Sequence, residues 1–150
     1  MNDIRLRAWD YKGKRMVKVL AIDWEHQTID CEAGLDYGEV GWWERCYHQP
    51  LENFELLQFT GVRDKNGKEI YEGDILKNSF GSLYEVKWVP SMMSFMCSPL
   101  KVVYDVRHID NLDTEIVGNI FENTELLQEK KMKYEVEIID IADEEGVDDD

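Results

Sequence analysis

The chain breaks, again and again, into short runs in which apolar and polar residues alternate, each closed by Gly, Asn, Asp or Pro. A period of two suits a pleated strand with one buried face, and the frequent turn residues leave no room for long helices. "IRLRAW" places Ile4, Leu6 and Ala8 on one face and Arg5, Arg7 and Trp9 on the other. "DYKGK" follows as a turn, with Gly13 available for a positive φ angle. "RMVKVLAI" reads as the returning strand and "QTIDCE" as a third, so the N-terminal part is expected to be an antiparallel meander. Residues 33–50 fit this pattern less well. Gly34, Gly38 and Gly41 argue for turns, Trp42, Trp43 and Tyr47 need burial or a partner, and a short helical turn over 42–48 is the expectation there.

"ENFELLQFT" resumes the strand pattern and leads into "GVRDKNGKEIYEGDIL". The Asn66-Gly67 pair is hairpin chemistry, because both residues tolerate positive φ. Gly73-Asp74 opens the next strand, with the Asp expected to bond nearby amides. Then come "SLYEVKWV", "SFMCS", "LKVVYDV" and "TEIVGNI", punctuated by Pro90 and Pro99. Five short strands in this space suggest a small bent barrel of the SH3 type. Residues Glu122 to Lys133 read as a short helix with Asn123 or Thr124 as cap and lysines at its C-terminal end. An added strand from Tyr134 and a disordered end over 143–150 complete the reading. The expected organisation is mostly β: an N-terminal β subdomain over 1–57 with a Trp-rich insertion, an SH3-like barrel over 58–127, and a helix end with acidic tail over 128–150.

Composition narrows the function classes. At 150 residues the chain holds one domain or two small ones, and 43% apolar residues suffice for a packed core. No run reaches the roughly 20 apolar residues of a membrane-spanning helix. Three cysteines far apart in sequence, Cys31, Cys46 and Cys97, argue against a disulfide framework, so a reduced cytosol is the expected setting. The net charge of −15 repels phosphate backbones and gives direct nucleic-acid binding no electrostatic source.

Searches for catalytic or metal-binding patterns return little. A calcium loop beginning at Asp64 meets Lys68 and Glu69 where an oxygen ligand and a glycine belong. Cys46 and His48 lack the other ligands of a zinc site. No nucleophile elbow, phosphate loop or dinucleotide fingerprint occurs, and His108 with Asp110 reads as part of a polar loop. Hence no catalytic residue, cofactor or metal is expected. The adjacent pair Trp42-Trp43 stands out, with Tyr47 nearby, because on a strand one of two neighbours must face away from the core. These three residues form the candidate protein-binding surface.

Taken together, "IRLRAWD", "LLQFTGVRDKNGKEIYEGDIL" and "VGNIFENTELL" resemble the YopX-like proteins encoded by phages and prophages, chiefly of Gram-positive bacteria. The middle motif is the most specific, and the three span Ile4 to Leu127 in the family's order. The resemblance implies a mostly-β fold with an SH3-type barrel in the C-terminal half, and it offers no catalytic residues to carry over. The segment "GLDYGEVGWWERCYHQP" and the acidic end from Lys131 lie outside the shared motifs. The expected function is that of an accessory protein that binds another protein, host-encoded or a second copy. An acidic nucleic-acid mimic that occupies a basic cleft is the alternative, and a hydrolase with His108 or His48 beside an acid in a deep pocket is the second alternative.

Overall fold

The computed structural model describes residues 5–37, 40–101 and 106–127, with the side chains of residues 35–42 outside the description. The chain divides into two compact units, Met1–Val62 and Arg63–Asp150.

In the first unit the alternating segments form β1 (Leu6–Asp10), β2 (Arg15–Asp23), β3 (Thr28–Tyr37), β4 (Val40–Pro50) and β5 (Phe54–Arg63), with a 3-10 turn at Leu51–Asn53. The sheet order is β4-β3-β2-β1-β5, so the expected meander is present and β5 returns to pair with β1. The expected helical turn over 42–48 is absent. Those residues lie in β4, paired with β3 through Gly34↔Trp43, Ala33↔Glu44, Glu32↔Arg45 and Cys31↔Cys46. A ladder on β3 satisfies the backbone of this glycine-containing, aromatic stretch, whereas one isolated helical turn would leave most of its own polar groups unpaired.

Two irregularities bend this sheet. Leu20 is an extra residue in β2, between the pairs Val19↔Cys31 and Ala21↔Asp30. In β4, Tyr47 and His48 together face Asp30, and His48 takes φ +53° while its N–H donates to Asp30 Oδ1 at 2.8 Å. Bulges of this kind increase the local twist. Ala8, Val17, Ile29, Cys31 and Ala33 form the buried cluster, and Val19, Ile22, Cys46, Leu51, Phe54 and Leu56 pack around it. The first turn corrects one detail of the sequence reading. Lys14, not Gly13, takes the positive φ. Gly13 is needed for room, because a Cβ there would lie 2.5 Å from Asp10 Oδ2.

The second unit begins as Arg63 ends β5 and a turn leads into β6 (Glu69–Tyr71). Then follow β7 (Asp74–Lys77), β8 (Leu83–Val89), a 3-10 turn at Pro90–Met92, β9 (Ser94–Pro99) and β10 (Glu115–Asn119). The last four make an antiparallel sheet of order β10-β7-β8-β9. Ile75, Leu76, Val86, Met96 and Leu100 are buried in this unit. The expected SH3-type barrel is not found: the sheet is open, with β10 and β9 at its edges among the described residues. Closure requires the outermost strands to pair with each other. Beyond β9, the described chain adds only a single bridge, Cys97↔Arg107. The expected strand over 100–106 falls largely on residues 102–105, outside the described residues. Of the expected helix, Thr124 to Leu127 is helical, and the rest of it, the added strand from Tyr134 and the acidic end also lie outside.

Candidate functional site

The acidic residues of the mid-chain motif could bind an ion or shape the backbone, and their partners separate these roles. Asp64 is 5% exposed. Its Oδ1 accepts from the N–H groups of Asn66 and Lys68, each at 2.9 Å, and its Oδ2 accepts from the N–H of Ile116 at 3.0 Å. One carboxylate therefore shapes the turn and ties it to β10. Burial alone would raise its pKa, but the three backbone donors outweigh that and hold it below the usual carboxylate range. Asp74, also buried, accepts from the N–H of Tyr71 at 2.8 Å. Of the expected Asn66-Gly67 pair only Gly67 takes a positive φ, +82°. Its N–H donates to the Asp64 carbonyl at 3.0 Å, so Lys65 and Asn66 are the central residues of the turn and Gly67 follows it. Among the described residues, no three His, Cys, Asp or Glu side chains converge as metal ligands would.

The "VGNIFEN" motif is built in the same way. Asn119 Oδ1 accepts from the N–H groups of Phe121 at 3.0 Å and Glu122 at 2.8 Å, and Asn123 Oδ1 accepts from the N–H of Asn119 at 3.0 Å. Asn123 presses so closely on Gly118 that a Cβ there would overlap its side-chain amide. In both motifs Asp64, Asp74, Asn119 and Asn123 thus accept from backbone N–H groups and shape the chain.

A different constellation forms where Arg15 of β2 reaches past β3 to Glu44 and Cys46 of β4. Arg15 donates from Nη1 to Glu44 Oε2 at 3.0 Å, its Nε lies 3.5 Å from Asp10 Oδ2, and its Nη2 lies 3.7 Å from Cys46 Sγ. The Cys46 thiol in turn donates to Glu44 Oε1 at 3.5 Å. Hydrogen bonds from Arg15 first, and then from Cys46, hold the Glu44 carboxyl below its ordinary range. The bond to Glu44 likewise raises the Arg15 guanidinium. A cavity of about 80 Å³ opens here, lined by Asp10, Arg15, Cys31, Cys46, Gln49 and Phe54 among others. Burial, and after it the neighbouring Cys46, pushes the Cys31 thiol up to about 11. The cavity has no histidine in its lining; His48 is exposed on the bulge and uses its backbone N–H to hold Asp30.

Of the candidate surface residues, Trp43 is 67% exposed and Tyr47 52% exposed, both on β4. The Trp43 ring lies against Gly34, its partner across the ladder, where a Cβ would stand 3.4 Å from the ring. Trp42 pairs with Leu35 in the same ladder, and its side chain lies outside the described residues. β4 is an outer strand of its sheet, so among the described residues no strand pairs along its other side. The sequence reading missed two features. One is the Cys31–Cys46 pairing, which a hairpin axis placed between β3 and β4 would have revealed. The other is the β8–β9 tip, where Trp88, Met92 and Met93 are exposed and Trp88 meets Phe95 edge-on at 5.0 Å. Its signal was "VPSMMSF", an apolar connection between two strands.

Fold and site together define a mostly-β protein of open antiparallel sheets, whose shared motifs stabilise turns and whose outer strand β4 displays aromatic side chains. The model of the YopX protein family matches residues 5–128, and the chain belongs to that family. A crystal structure of protein EF1440 from Enterococcus faecalis is similar at 24% identity, covering 85% of this chain and 99% of that one with a TM-score of 0.58, a likeness of fold. Comparison with the curated proteins gives no match. No helix among the described residues is long and apolar enough to cross a membrane.

Proposed function

We propose that this chain is a phage- or prophage-encoded accessory protein of the bacterial cytoplasm that acts by binding another protein. The partner lays an extended segment along the open side of β4. One observation carries this reading: β4 is a long outer strand, Val40–Pro50, that presents Trp43 and Tyr47 to solvent beside a backbone edge along which no strand pairs among the described residues. An exposed edge is a template for strand addition, with main-chain hydrogen bonds giving affinity and flanking aromatic side chains giving selectivity. Trp and Tyr are also the residues that most often dominate binding energy at interfaces. The net charge of −15 favours a basic partner segment and speeds its approach.

Capture from host lysate on full-length bait tests the proposal when paired with a variant. Wild-type protein at micromolar concentration is expected to retain a specific partner, and the Trp43→Ser, Tyr47→Ser double variant to lose at least about tenfold in affinity. No partner, or a partner held equally well by the double variant, contradicts it.

A further inference from the structure

The register of β3 and β4 sets Cys31 directly opposite Cys46; both are free thiols, and both border the cavity beside Arg15. Opposed residues in an antiparallel ladder hold their Cα atoms about 4.5–5.5 Å apart, inside the roughly 4.4–6.8 Å that a disulfide spans. Their Cβ atoms start about 4.5–5.5 Å apart, at or beyond the roughly 3.5–4.5 Å of a relaxed bridge, so closure draws the strands together and leaves a readily reduced bond. The ladder is already interrupted next to Cys46, at the Tyr47–His48 bulge, which gives β4 room to shift.

The two thiols have unequal surroundings. Cys31 is buried, while Cys46 is half-buried and reachable from the cavity. The Cys46 thiol has a proton acceptor in Glu44 Oε1 at 3.5 Å and a guanidinium in Arg15 Nη2 at 3.7 Å. The cavity, at about 80 Å³, exceeds several times the roughly 10–15 Å³ that a water molecule requires. A small hydroperoxide therefore fits against the Cys46 sulfur.

We propose that Cys31 and Cys46 are a reversible redox pair, closed to a disulfide by a hydroperoxide and reopened by a dithiol. Glu44 takes the Cys46 proton as the sulfur attacks one peroxide oxygen. The S–O bond forms as the O–O bond breaks, and the departing oxygen, steadied by Arg15, collects that proton and leaves as water or an alcohol. The Cys31 sulfur then attacks the Cys46 sulfur: the S–S bond forms, the S–O bond breaks, and the hydroxyl leaves with the Cys31 proton as water. Two thiols and one hydroperoxide give one disulfide and two molecules of water, or one of water and one of alcohol, so two electrons pass from sulfur to peroxide. The raised pKa of Cys31 leaves Cys46 as the thiol that meets the peroxide first, and Cys31 attacks only as its proton passes to the departing hydroxyl. Nothing in this pair requires the protein partner proposed above.

The test uses the full chain, reduced and then exposed to hydrogen peroxide, with the remaining thiols alkylated in denaturant and mapped by mass spectrometry. A linked peptide pair containing Cys31 and Cys46 is expected, reversed by dithiothreitol, with Cys97 still alkylated as an internal reference. In Cys31→Ser the oxidised Cys46 is expected to accumulate as a sulfenic acid captured by dimedone. Glu44→Gln is expected to slow Cys46 oxidation roughly tenfold or more. All three thiols alkylated after full consumption of a glutathione control, or a link that involves Cys97, overturns the pair. An unchanged rate in Glu44→Gln overturns the part assigned to that carboxylate. Should either variant fail to fold, the wild-type map alone decides.

Discussion

Asp64 carries three backbone N–H groups on one carboxylate, and it sits where Lys68 and Glu69 break the pattern of a calcium loop. Removing it strands buried donors, so Asp64→Ala is expected to cost about 3 kcal/mol in urea denaturation, and Asp64→Asn less, because the amide oxygen still accepts. The sign of its pH dependence follows from its lowered pKa. The folded state binds this proton more weakly than the unfolded chain does, so the stabilisation is complete above the unfolded carboxylate value. It fades as the pH falls through that value toward the lower folded one. Urea midpoints measured from neutral to acid are expected to fall less steeply in Asp64→Asn than in the wild type. Gly118 works through space rather than charge: Gly118→Ala, which drives a methyl into Asn123, is expected to lose about 1–3 kcal/mol. An unchanged midpoint in that variant would remove the close approach from the account. These residue roles were partly legible. Asn66-Gly67 announced a turn and Asp74 a local acceptor, whereas the reach of Asp64 to Ile116, across 52 residues of sequence, carries no local signature.

At the scale of elements, alternation was informative wherever a strand has one buried and one exposed face. Ala8 falls on the buried side of β1, as the period-two reading of "IRLRAW" places it, but Trp9 on the opposite face is buried as well. β4 escaped that reading because its aromatic and glycine residues obey the ladder with β3 rather than a strand preference of their own. The same oversight hid the thiol pair, since Cys31 and Cys46 look unrelated until the hairpin brings them opposite. Burial contrast gives a direct check on the element. Ile29→Ala, in the fully buried core, is expected to cost about 3 kcal/mol. Trp43→Ser is expected to cost under about 1 kcal/mol, despite being the larger truncation, because its ring is mostly in solvent. Urea denaturation of the two variants side by side measures the difference; equal losses would mean that Trp43 serves the core.

For the whole molecule, strand counting found the β class but expected a barrel closure that the described residues do not make. Five short strands are as compatible with an open sheet as with a barrel, because closure depends on whether the first and last strands meet, a long-range pairing that no local pattern encodes. Family membership over residues 5–128 covers the turn-building motifs and β4 alike. The proposed activity rests on β4 as a docking strand. Hydrogen–deuterium exchange of the full chain, alone and with its captured partner, addresses that directly. Amides of β4 are expected to exchange more slowly in the complex, with protection centred on Trp43 to Tyr47. Unchanged exchange along β4, with protection confined to the β8–β9 tip or elsewhere in the second unit, would contradict the account.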